Sequence, residues 1–322
     1  MQHYGYRSRL RPCAQTRKLL QNFNMSGQIR LDTNLEKAQA MKNEDKVFRY
    51  NGILYPILRS PEENLKALVN IEARTDDIML VAFPKCGFNW MLGVLKKIVA
   101  AVKGTESQIK MHPLIEFLDP AKQQMLADLP SPRILGTHLQ PQNMPSSFFA
   151  RKTKIVVMFR NPKDTAVSYF HFTNNNPVLQ TAESWDKFYS DFIQGEVPWG
   201  SYFDCALAWE EHIDDPNVLV MTFEDMKQNM CQGIEQIAQF YGYSLTEEQV
   251  QSVAKASGFD TMKESSKSMF GQMTDVIFRK GEVGDWKNLF TVDQSQEMDA
   301  AFEKHLAGTK LGAKLKYDVY CK

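Results

Sequence analysis

Short apolar runs that alternate with helical patterns are the feature that most constrains the fold of this chain. Ile78–Phe83, Ile155–Phe159 and Val218–Thr222 are largely apolar runs, and Arg133–Thr137 is a shorter candidate strand. Such strands are typical of a parallel sheet that is covered on both faces. Apolar residues at three- and four-residue steps then indicate helices. These residues are Met91, Leu95, Ile98 and Val102, and later Met230, Ile234, Ile237 and Tyr241. We therefore predict an α/β fold with a central, mainly parallel sheet flanked by helices.

Residues 47–322 are predicted to form one domain, because they contain no internal repeat and no long linker. Residues 1–46 are predicted to be a basic, disordered extension, since the first 31 residues carry six basic side chains and no acidic one. A mitochondrial-type leader would have a similar composition. Imaging a fusion protein tagged at its C-terminus would separate these two interpretations.

The balance of charge indicates what the chain binds. Lys plus Arg and Asp plus Glu each number 38, so the net charge is zero. No global attraction to nucleic acid or to an anionic membrane is therefore expected, and any anion site must be built locally. The longest apolar runs have about six residues, far fewer than the roughly 20 of a membrane span.

The cysteine pattern indicates the compartment. The chain has five cysteines, an odd number, and no pair has the CxxC spacing. Neither a disulfide framework nor a zinc site is expected, and no cluster of His, Cys and Asp has the spacing of metal ligands. We predict free thiols and a cytoplasmic location, where thiols stay reduced.

The loop after the first strand has the composition of an anion site. It reads Phe-Pro-Lys-Cys-Gly-Phe-Asn-Trp over residues 83–90, and a predicted helix follows. A helix start offers unpaired backbone N–H groups, Gly87 allows close approach of the backbone, and Lys85 adds a positive charge. It is not a Walker A loop, because Lys85 precedes the only glycine. A strand-to-helix turn with a solvated lysine is the alternative.

Two further segments carry positive charge beside flexible or helix-starting residues. Arg160 ends the second long apolar strand, where it can hold a phosphate with two nitrogens. Pro162 and Asp164 suit a helix start, and Ser168 would offer a hydroxyl within that helix. Residues 278–287, near the C-terminus, contain an Arg-Lys-Gly triplet that suits an anion clamp. Three separate anion sites predict a ligand with phosphates at more than one position.

These three segments together resemble the cytosolic sulfotransferase family, and the resemblance covers roughly residues 51–302. The loop at 83–90 looks like the family's 5′-phosphosulfate loop, Tyr-Pro-Lys-Ser-Gly-Thr-Thr-Trp. Arg160-Asn-Pro-Lys-Asp with Ser168 is similar to its 3′-phosphate segment. The C-terminal signature of the family is similar to Arg279-Lys-Gly with Gly284-Asp-Trp-Lys287. The segment Arg74-Thr-Asp-Asp77 also resembles the family's sequence before the first strand. Within the family the chain looks closest to the 6B branch.

The resemblance implies a reaction in which the sulfuryl group of 3′-phosphoadenosine 5′-phosphosulfate (PAPS) moves to a hydroxyl of a small acceptor. No metal is implied, and the product is 3′,5′-adenosine bisphosphate (PAP). The family pattern assigns the donor to the following residues: Lys85, Cys86, Gly87, Phe88, Asn89 and Trp90; Arg160 and Ser168; Phe223, Ser257 and Phe259; and Phe278, Arg279, Lys280 and Gly281.

The resemblance also implies that His138 is the catalytic base. It follows the short strand at Arg133–Thr137, at the family's spacing from Arg160. A histidine suits this role because its ordinary pKa of about 6.5 leaves it neutral at pH 7. We expect it to remove the acceptor's proton as oxygen attacks sulfur in line, while Lys85 stabilises the leaving phosphate oxygen.

The chain departs from the family pattern at several positions. Family members often have lysine at position 136, which is glycine here, and threonine at position 88, which is phenylalanine. We interpret both as the loss of a group that helps transfer, and the hydroxyl contact alone is worth about 1 kcal/mol. Cys86 replaces serine beside a cationic loop, where a thiol pKa can fall, although an inert filler is the alternative.

Other assignments are left open by the residues. A nucleotide kinase is disfavoured by the missing Walker A order, and a non-catalytic or weakly active binder of PAPS or PAP is the second alternative. Lys287–Val292 resembles the family's dimer motif, with Gln296 in place of its glutamate. The apolar acceptor is a phenol, a thyroid hormone such as thyroxine, or a steroid-like alcohol. Its pocket candidates are Phe83, Met111, Pro113, Phe117, Phe148, Phe149 and Phe172.

Overall fold

A four-stranded parallel sheet lies at the centre of the protein in the computed structural model, which describes residues 34–104 and 113–322. The chain first forms an antiparallel hairpin of β1 (Val47–Tyr50) and β2 (Ile53–Pro56). The central strands are β3 (Ile78–Ala82), β4 (Ile134–Thr137), β5 (Lys154–Phe159) and β6 (Val218–Thr222). Their order is β4-β3-β5-β6, and all three pairings are parallel.

Helices make up most of the remaining structure. They are α1 (residues 34–40), α2 (Glu62–Ala67), α3 (Phe88–Lys103), α4 (Pro120–Met125), α5 (Ser147–Ala150), α6 (Pro162–Asn174), α7 (Trp185–Gln194), α8 (Tyr202–Glu210), α9 (Phe223–Gln228), α10 (Met230–Tyr241), α11 (Glu247–Ala256), α12 (Phe259–Phe270), α13 (Thr274–Ile277), α14 (Val292–His305), α15 (Lys310–Leu315) and α16 (Tyr317–Tyr320). None of the helices in the described ranges combines the length and the apolar composition needed to cross a bilayer.

The predicted α/β fold class is confirmed, and the predicted strands agree with the observed ones to within one residue at each end. Every residue of β3 is buried, as expected for a strand that is covered on both faces. The predicted helix after β3 is also confirmed, and Met91, Leu95 and Ile98 are buried in it. Val102 is the exception, because its side chain is 39% exposed.

The β1–β2 hairpin was not predicted. Its turn is Asn51-Gly52, and both residues have positive φ, 49° and 80°. Asn-Gly is the dipeptide that a two-residue hairpin favours, because asparagine and glycine adopt the left-handed conformation with little strain. This dipeptide was therefore the signal that could have identified the hairpin.

A buried ion pair aligns the two strands that carry most of the chemistry. Arg133 and Asp77 stand directly before β4 and β3, and both side chains are at most 2% exposed. Nε and Nη2 of Arg133 donate to the two carboxylate oxygens of Asp77 at 2.7 and 2.5 Å. Such a bidentate pair restricts the relative position of two strands. The Asp77 end of the family-like segment 74–77 therefore contributes to the framework of the site.

Part of the predicted extension packs on the body of the protein. Within α1, Ala38 is 3% exposed and lies in a small apolar cluster with Val178 and Leu179. The side-chain amide of Asn34 donates to the Leu58 carbonyl at 2.9 Å. Residues 1–33 lie outside the described residues. The division of the chain at residue 47 stays a prediction.

Candidate active site

The carboxyl ends of all four central strands meet at one cavity of about 690 Å³. Lys85 follows β3, His138 follows β4, Arg160 follows β5 and Phe223 follows β6, and each of these residues lines the cavity. The edge strand β4 lies on one side of β3, and β5 lies on the other side. The chain therefore reverses its direction of strand addition beside β3, which is where ligands bind in open α/β sheets.

Most of the predicted site residues line this cavity. They are Lys85, Gly87, Phe88, Asn89, Trp90, His138, Arg160, Ser168, Phe223, Phe259, Phe278, Arg279, Lys280 and Gly281. Cys86 and Ser257 lie directly behind lining residues and do not line the cavity themselves. The three segments that are far apart in the sequence are therefore brought together in space.

The loop after β3 has the geometry of an anion site. Lys85 and Gly87 both have positive φ, 69° and 101°, and Gly87 is the N-cap of α3. The N-cap residue is a glycine, so it has no side chain with which to cap the start of this helix. A lysine with positive φ is strained by about 1 kcal/mol or more, and such strain is concentrated at functional sites. The loop therefore favours an anionic ligand at the start of α3.

Lys85 is held in a buried position. Its ammonium lies 4.1 Å from the centre of the Phe172 ring. Burial, followed by the positive charges of Arg160 and Arg279, lowers the pKa of Lys85 to about 7. A bound anion would favour the charged form and raise this pKa again. The site is therefore better suited to a ligand with negative charge than to water alone.

Arg160 is fixed at the end of β5 by three groups. Its guanidinium lies 4.6 Å from the centre of the Phe223 ring, 3.7 Å from a carboxylate oxygen of Asp164, and donates to the Glu282 carbonyl. Its buried Nε has no hydrogen-bond partner among the described residues. An arginine that is positioned in this way can still donate to a phosphate from the same planar group.

The C-terminal Arg-Lys-Gly segment is joined to α6 through Asp164. The Asp164 carboxylate accepts hydrogen bonds from the Gly284 amide at 2.8 Å and from the Trp286 amide at 3.0 Å. Asp285 accepts from Arg279 at 2.5 Å and from Lys280 at 2.6 Å. Burial favours the protonated form of Asp285, but these hydrogen bonds hold its pKa below the usual range. The two cations therefore keep a fixed position at the cavity wall.

Aromatic residues form a separate part of the cavity beside these cations. Trp90 and Phe223 lie with ring centres 5.0 Å apart at 62°, and the Trp90 indole donates to the Ser257 carbonyl at 2.8 Å. The Phe259 ring lies against the backbone of Gly281, where a Cβ atom would stand 2.2 Å from it. A flat, apolar ring such as a nucleobase fits between such groups.

Buried polar atoms test whether a nucleotide with two phosphates fits this site. Atoms without a hydrogen-bond partner among the described residues include Nε of Arg160, Nε of Arg279, Oδ1 of Asn89 and Oγ of Ser257. An unsatisfied buried polar group costs about 1–3 kcal/mol. The sequence assigns all four residues to the donor, and Arg160, Arg279 and Asn89 line the cavity, where donors and acceptors on a nucleotide could satisfy their atoms. The residues present therefore fit PAPS.

The charge of the cavity wall fits the same ligand. Although the whole chain is neutral, the lining contains seven cationic residues and one acidic residue, Glu282. The cations are Arg59, Lys85, Lys122, Arg160, Lys227, Arg279 and Lys280. Positive charge is thus concentrated at this cavity, which agrees with the expectation of a locally built anion site.

His138 has the geometry of a general base. Its Nδ1 lies 2.7 Å from the Ala82 carbonyl, which can only accept, so Nδ1 carries the proton in that hydrogen bond. This tautomer leaves Nε2 able to accept a proton. Burial lowers the pKa of His138 to about 4, and the positive charge of Lys85 acts in the same direction. The hydrogen bond to Ala82 opposes this shift. The imidazole is therefore neutral at pH 7.

Glu116 supports the segment that carries His138 and was missed in the sequence analysis. Its side chain is fully buried, and its two oxygens accept from the His138 backbone amide and from the Thr137 hydroxyl, each at 2.8 Å. Burial raises the pKa of Glu116 to about 7. The carboxyl group holds the segment that carries His138, although no sequence motif identifies it.

The structure decides between the two alternatives for Cys86 and corrects one expectation about the acceptor pocket. Cys86 is fully buried, its sulfur lies 3.6 Å from the Thr165 hydroxyl, and burial raises its pKa to about 12. It is therefore an inert filler and not a reactive thiol.

The corrected expectation is the list of residues that were predicted to line the acceptor pocket. Phe83 and Phe148 are at most 1% exposed in the core, and Phe149 packs against Trp209. None of these three lines the cavity, and neither does Pro113, whereas Phe117 and Phe172 do. Met111 lies outside the described residues. Residues that the sequence did not single out complete this end of the cavity: Asn34, Leu58, Arg59, Leu114, Leu118, Lys122, Asn176, Leu179 and Trp199.

Comparison with known proteins identifies the family. Residues 75–310 match the sulfotransferase domain family. The chain is 54% identical over 292 residues to sulfotransferase 6B1 of Danio rerio, covering 90% of this chain and 99% of that protein. It is 47% identical over 291 residues to the human sulfotransferase 6B1, covering 90% and 96%.

A solved structure agrees with these relatives. The crystal structure of mouse sulfotransferase SULT7A1 complexed with PAP is similar with a TM-score of 0.76 and 34% identity, covering 84% of this chain and 98% of that one. Together with the family match, the relatives decide the assignment. The chain belongs to the cytosolic sulfotransferase family, on its 6B branch, and is a PAPS-dependent sulfotransferase.

Proposed function

We propose that this protein transfers the sulfuryl group of PAPS to the hydroxyl of a small apolar acceptor, with His138 as the general base. The observation that carries the proposal is the hydrogen bond between His138 Nδ1 and the Ala82 carbonyl at 2.7 Å. This bond selects the tautomer in which Nε2 is a proton acceptor, in a cavity that Lys85 and Arg160 also line. A base and a phosphate site therefore share one cavity.

The reaction needs one proton transfer and one displacement at sulfur. Nε2 of His138 takes the acceptor's proton as the acceptor oxygen forms a bond to sulfur. The bond between sulfur and the phosphate oxygen breaks, and PAP leaves with that electron pair. Lys85 stabilises the charge that develops on the leaving oxygen, which is the kind of electrostatic assistance that enzymes use for phosphoryl transfer. Positioning of the two reactants by the surrounding residues supplies the rest of the rate enhancement.

The two ends of the donor are assigned to different parts of the cavity. We place the 5′-phosphosulfate at the start of α3, against Lys85, Gly87 and Asn89. The 3′-phosphate is held by Arg160 and Ser168, with Arg279, Lys280 and Gly281 from the C-terminal segment. The adenine lies among Trp90, Phe223 and Phe259, with Ser257 as its polar partner and Phe278 packed beside Phe259 at 6.1 Å between ring centres. The unpartnered Nε atoms of Arg160 and Arg279 support this position of the 3′-phosphate, because each can donate a hydrogen bond to a phosphate oxygen.

The acceptor is assigned to the end of the cavity beside His138. Phe88 and Trp199 lie with ring centres 5.1 Å from the imidazole, and Phe117 lies at 6.5 Å. Flat rings around the base favour a flat, apolar acceptor. A phenol also suits a weakly basic imidazole, because its hydroxyl pKa of about 10 is lower than that of an aliphatic alcohol. We therefore favour phenols, including thyroid hormones such as thyroxine, over steroid-like alcohols.

An assay of labelled sulfate transfer tests this function. The purified protein is incubated with sulfate-labelled PAPS and, in separate reactions, with a simple phenol, thyroxine or a sterol. In a control, ATP labelled in its γ-phosphate replaces PAPS. We expect transfer from PAPS and none from ATP, with the phenolic acceptors preferred. Binding of PAP without transfer to any acceptor would instead support a non-catalytic or weakly active PAPS-binding protein. Transfer from ATP would support a nucleotide kinase.

We also propose that the protein forms a homodimer through Lys287–Val292. Val292 is 71% exposed and belongs to the segment that resembles the family's dimer motif, so its side chain is available for a contact with a second copy. We expect sedimentation at the mass of a dimer for the wild type and of a monomer for Val292→Glu. Val69→Glu is the matched control, because Val69 is 77% exposed elsewhere on the surface and its replacement should leave the dimer intact. A monomeric wild type would contradict the proposal.

The cytoplasmic location is proposed from the cysteines. Among the described residues Cys86, Cys205, Cys231 and Cys321 are free thiols, which is typical of a reducing compartment. Mitochondrial fluorescence of a protein tagged at its C-terminus would overturn this proposal.

A further inference from the structure

Gly136 is in a strand position where glycine is not required by the backbone. It lies within β4 and is absent from the glycines with positive φ, so another residue could adopt its conformation. Glycine inside a strand costs about 0.5–1 kcal/mol relative to alanine, and it is often explained by the close approach of another group. Space and not backbone conformation must therefore account for glycine here.

The Phe88 ring takes up that space. A Cβ atom added to Gly136 would stand 2.4 Å from Cζ of Phe88 and 2.6 Å from Cε2. On its other side it would meet the Leu80 carbonyl oxygen at 3.1 Å, so an added side chain cannot retreat into the sheet. A side chain at position 136 would therefore require the Phe88 ring to move from its observed position.

The same ring packs against the base. The Phe88 and His138 ring centres are 5.1 Å apart at 63°, and the Trp199 ring lies 5.1 Å from the imidazole at 77°. With Nδ1 bonded to Ala82, the imidazole is held by Phe88, by Trp199 and by one hydrogen bond. Removal of one ring would free the imidazole to turn and would admit water beside Nε2.

We infer that Phe88 positions His138 for sulfuryl transfer and narrows the acceptor site beside it, and that Gly136 is the residue that allows Phe88 to do so. The two departures from the family pattern are then one coupled exchange rather than two separate losses. The family's threonine hydroxyl at position 88 and lysine at position 136 are absent, and the Phe88 ring packs against His138 instead. This inference rests on the proposed function of the cavity.

A double-mutant cycle tests the coupling. Gly136→Ala should displace the Phe88 ring and lower kcat by at least about tenfold, because a displacement of about 1 Å at a reacting site can cost about 100-fold. Phe88→Ala alone should also lower kcat. The double variant Phe88→Ala with Gly136→Ala should be more active than Gly136→Ala, because the added methyl group then has room. The inference would be overturned if the decrease in kcat of the double variant equalled the product of the two single decreases. A Gly136→Ala protein with wild-type activity would also overturn it.

The pH profile separates positioning from a loss of folding. Phe88→Ala exposes the imidazole to water, which should raise the pKa of His138 toward its ordinary value and shift the acidic limb of kcat/KM to higher pH. Phe88→Leu retains an apolar wall and should shift this limb less. Phe240→Ala is the matched control, since Phe240 is half-buried on α10 and does not line the cavity. An acidic limb that moves equally in Phe88→Ala and Phe240→Ala would overturn the inference.

Each protein is also tested for PAP binding and thermal unfolding. If Gly136→Ala does not fold, the Phe88→Ala and Phe88→Leu profiles still decide the matter. A wild type that transfers no sulfuryl group to any acceptor would overturn the proposed function together with the inference. An active wild type with an unchanged acidic limb in Phe88→Ala would overturn the inference alone.

Discussion

Replacement of His138 by alanine is expected to lower kcat by about 100- to 10,000-fold, the usual contribution of a general base. The reason is that Nε2 is the proton acceptor that the bond from Nδ1 to Ala82 leaves available beside the phosphate site. Affinity for PAP should change little, because the proposed donor contacts lie on Lys85, Arg160 and the C-terminal segment. Rapid-quench measurement of a single turnover with a phenolic acceptor reads the chemical step directly.

His305→Ala is the control for this variant. His305 stacks on Phe203 with ring centres 5.3 Å apart and does not line the cavity, so its removal should leave kcat close to that of the wild type. A His138→Ala protein that retains most of its activity while His305→Ala behaves as expected would remove His138 as the base.

The pH dependence offers an independent check on the same residue. The base acts in its neutral form, and burial lowers the pKa of His138 to about 4. Activity that depends on this group should therefore be present above pH 4 and be lost as the pH falls through that value. The acidic limb should lie well below the pKa of about 6.5 that an exposed histidine would show.

Local patterns predicted the parts of this molecule that depend on neighbours in the sequence. Buried strands and the helix starts near Gly87 and Pro162 are encoded in runs of a few residues, and the strands lie within one residue of the prediction at each end. The order of the strands and the Glu116 contact with His138 depend on tertiary packing. No residue within several positions of Glu116 signals that its carboxyl group will be buried against another loop.

Residue type also failed to separate core from pocket. Positions 148 and 172 are both phenylalanine, but Phe148 is fully buried in the core, whereas Phe172 lines the cavity beneath the Lys85 ammonium. The same limit applies to Phe88 and Gly136, which the sequence presents as two losses. Their contact becomes visible only when α3 and β4 are packed together.

Replacement of Lys85 by methionine is expected to lower kcat by about 100- to 1,000-fold, the usual effect of removing one group that stabilises developing negative charge. Methionine keeps much of the side-chain volume against Phe172 and removes the charge. Lys85→Arg is the matched control for charge, although its larger planar head does not reproduce the point contact of an ammonium. A methionine variant with near-normal kcat would contradict the assignment of Lys85 to the leaving oxygen.

The environment of Lys85 adds a pH signature to this prediction. Burial and the neighbouring Arg160 and Arg279 lower its pKa to about 7 in the protein alone. Below pH 7 the ammonium is already present, so the affinity for PAP should not change with pH through this group. Above pH 7 the Lys85 amine is largely neutral. A bound phosphate raises the pKa of Lys85, so the amine takes up a proton from solvent when the ligand binds. The affinity of the wild type should therefore fall as the pH rises above 7.

Calorimetry measures that proton directly. At pH 8, titration of the wild type with PAP in buffers of different ionisation enthalpy should show proton uptake, and Lys85→Met should show less uptake and a flatter dependence of affinity on pH. Equal uptake by both proteins would mean that the proton binds elsewhere in the cavity. The result would matter for catalysis as well as binding, because at pH 8 a lysine that takes up its proton on donor binding is charged mainly when there is a leaving group to stabilise.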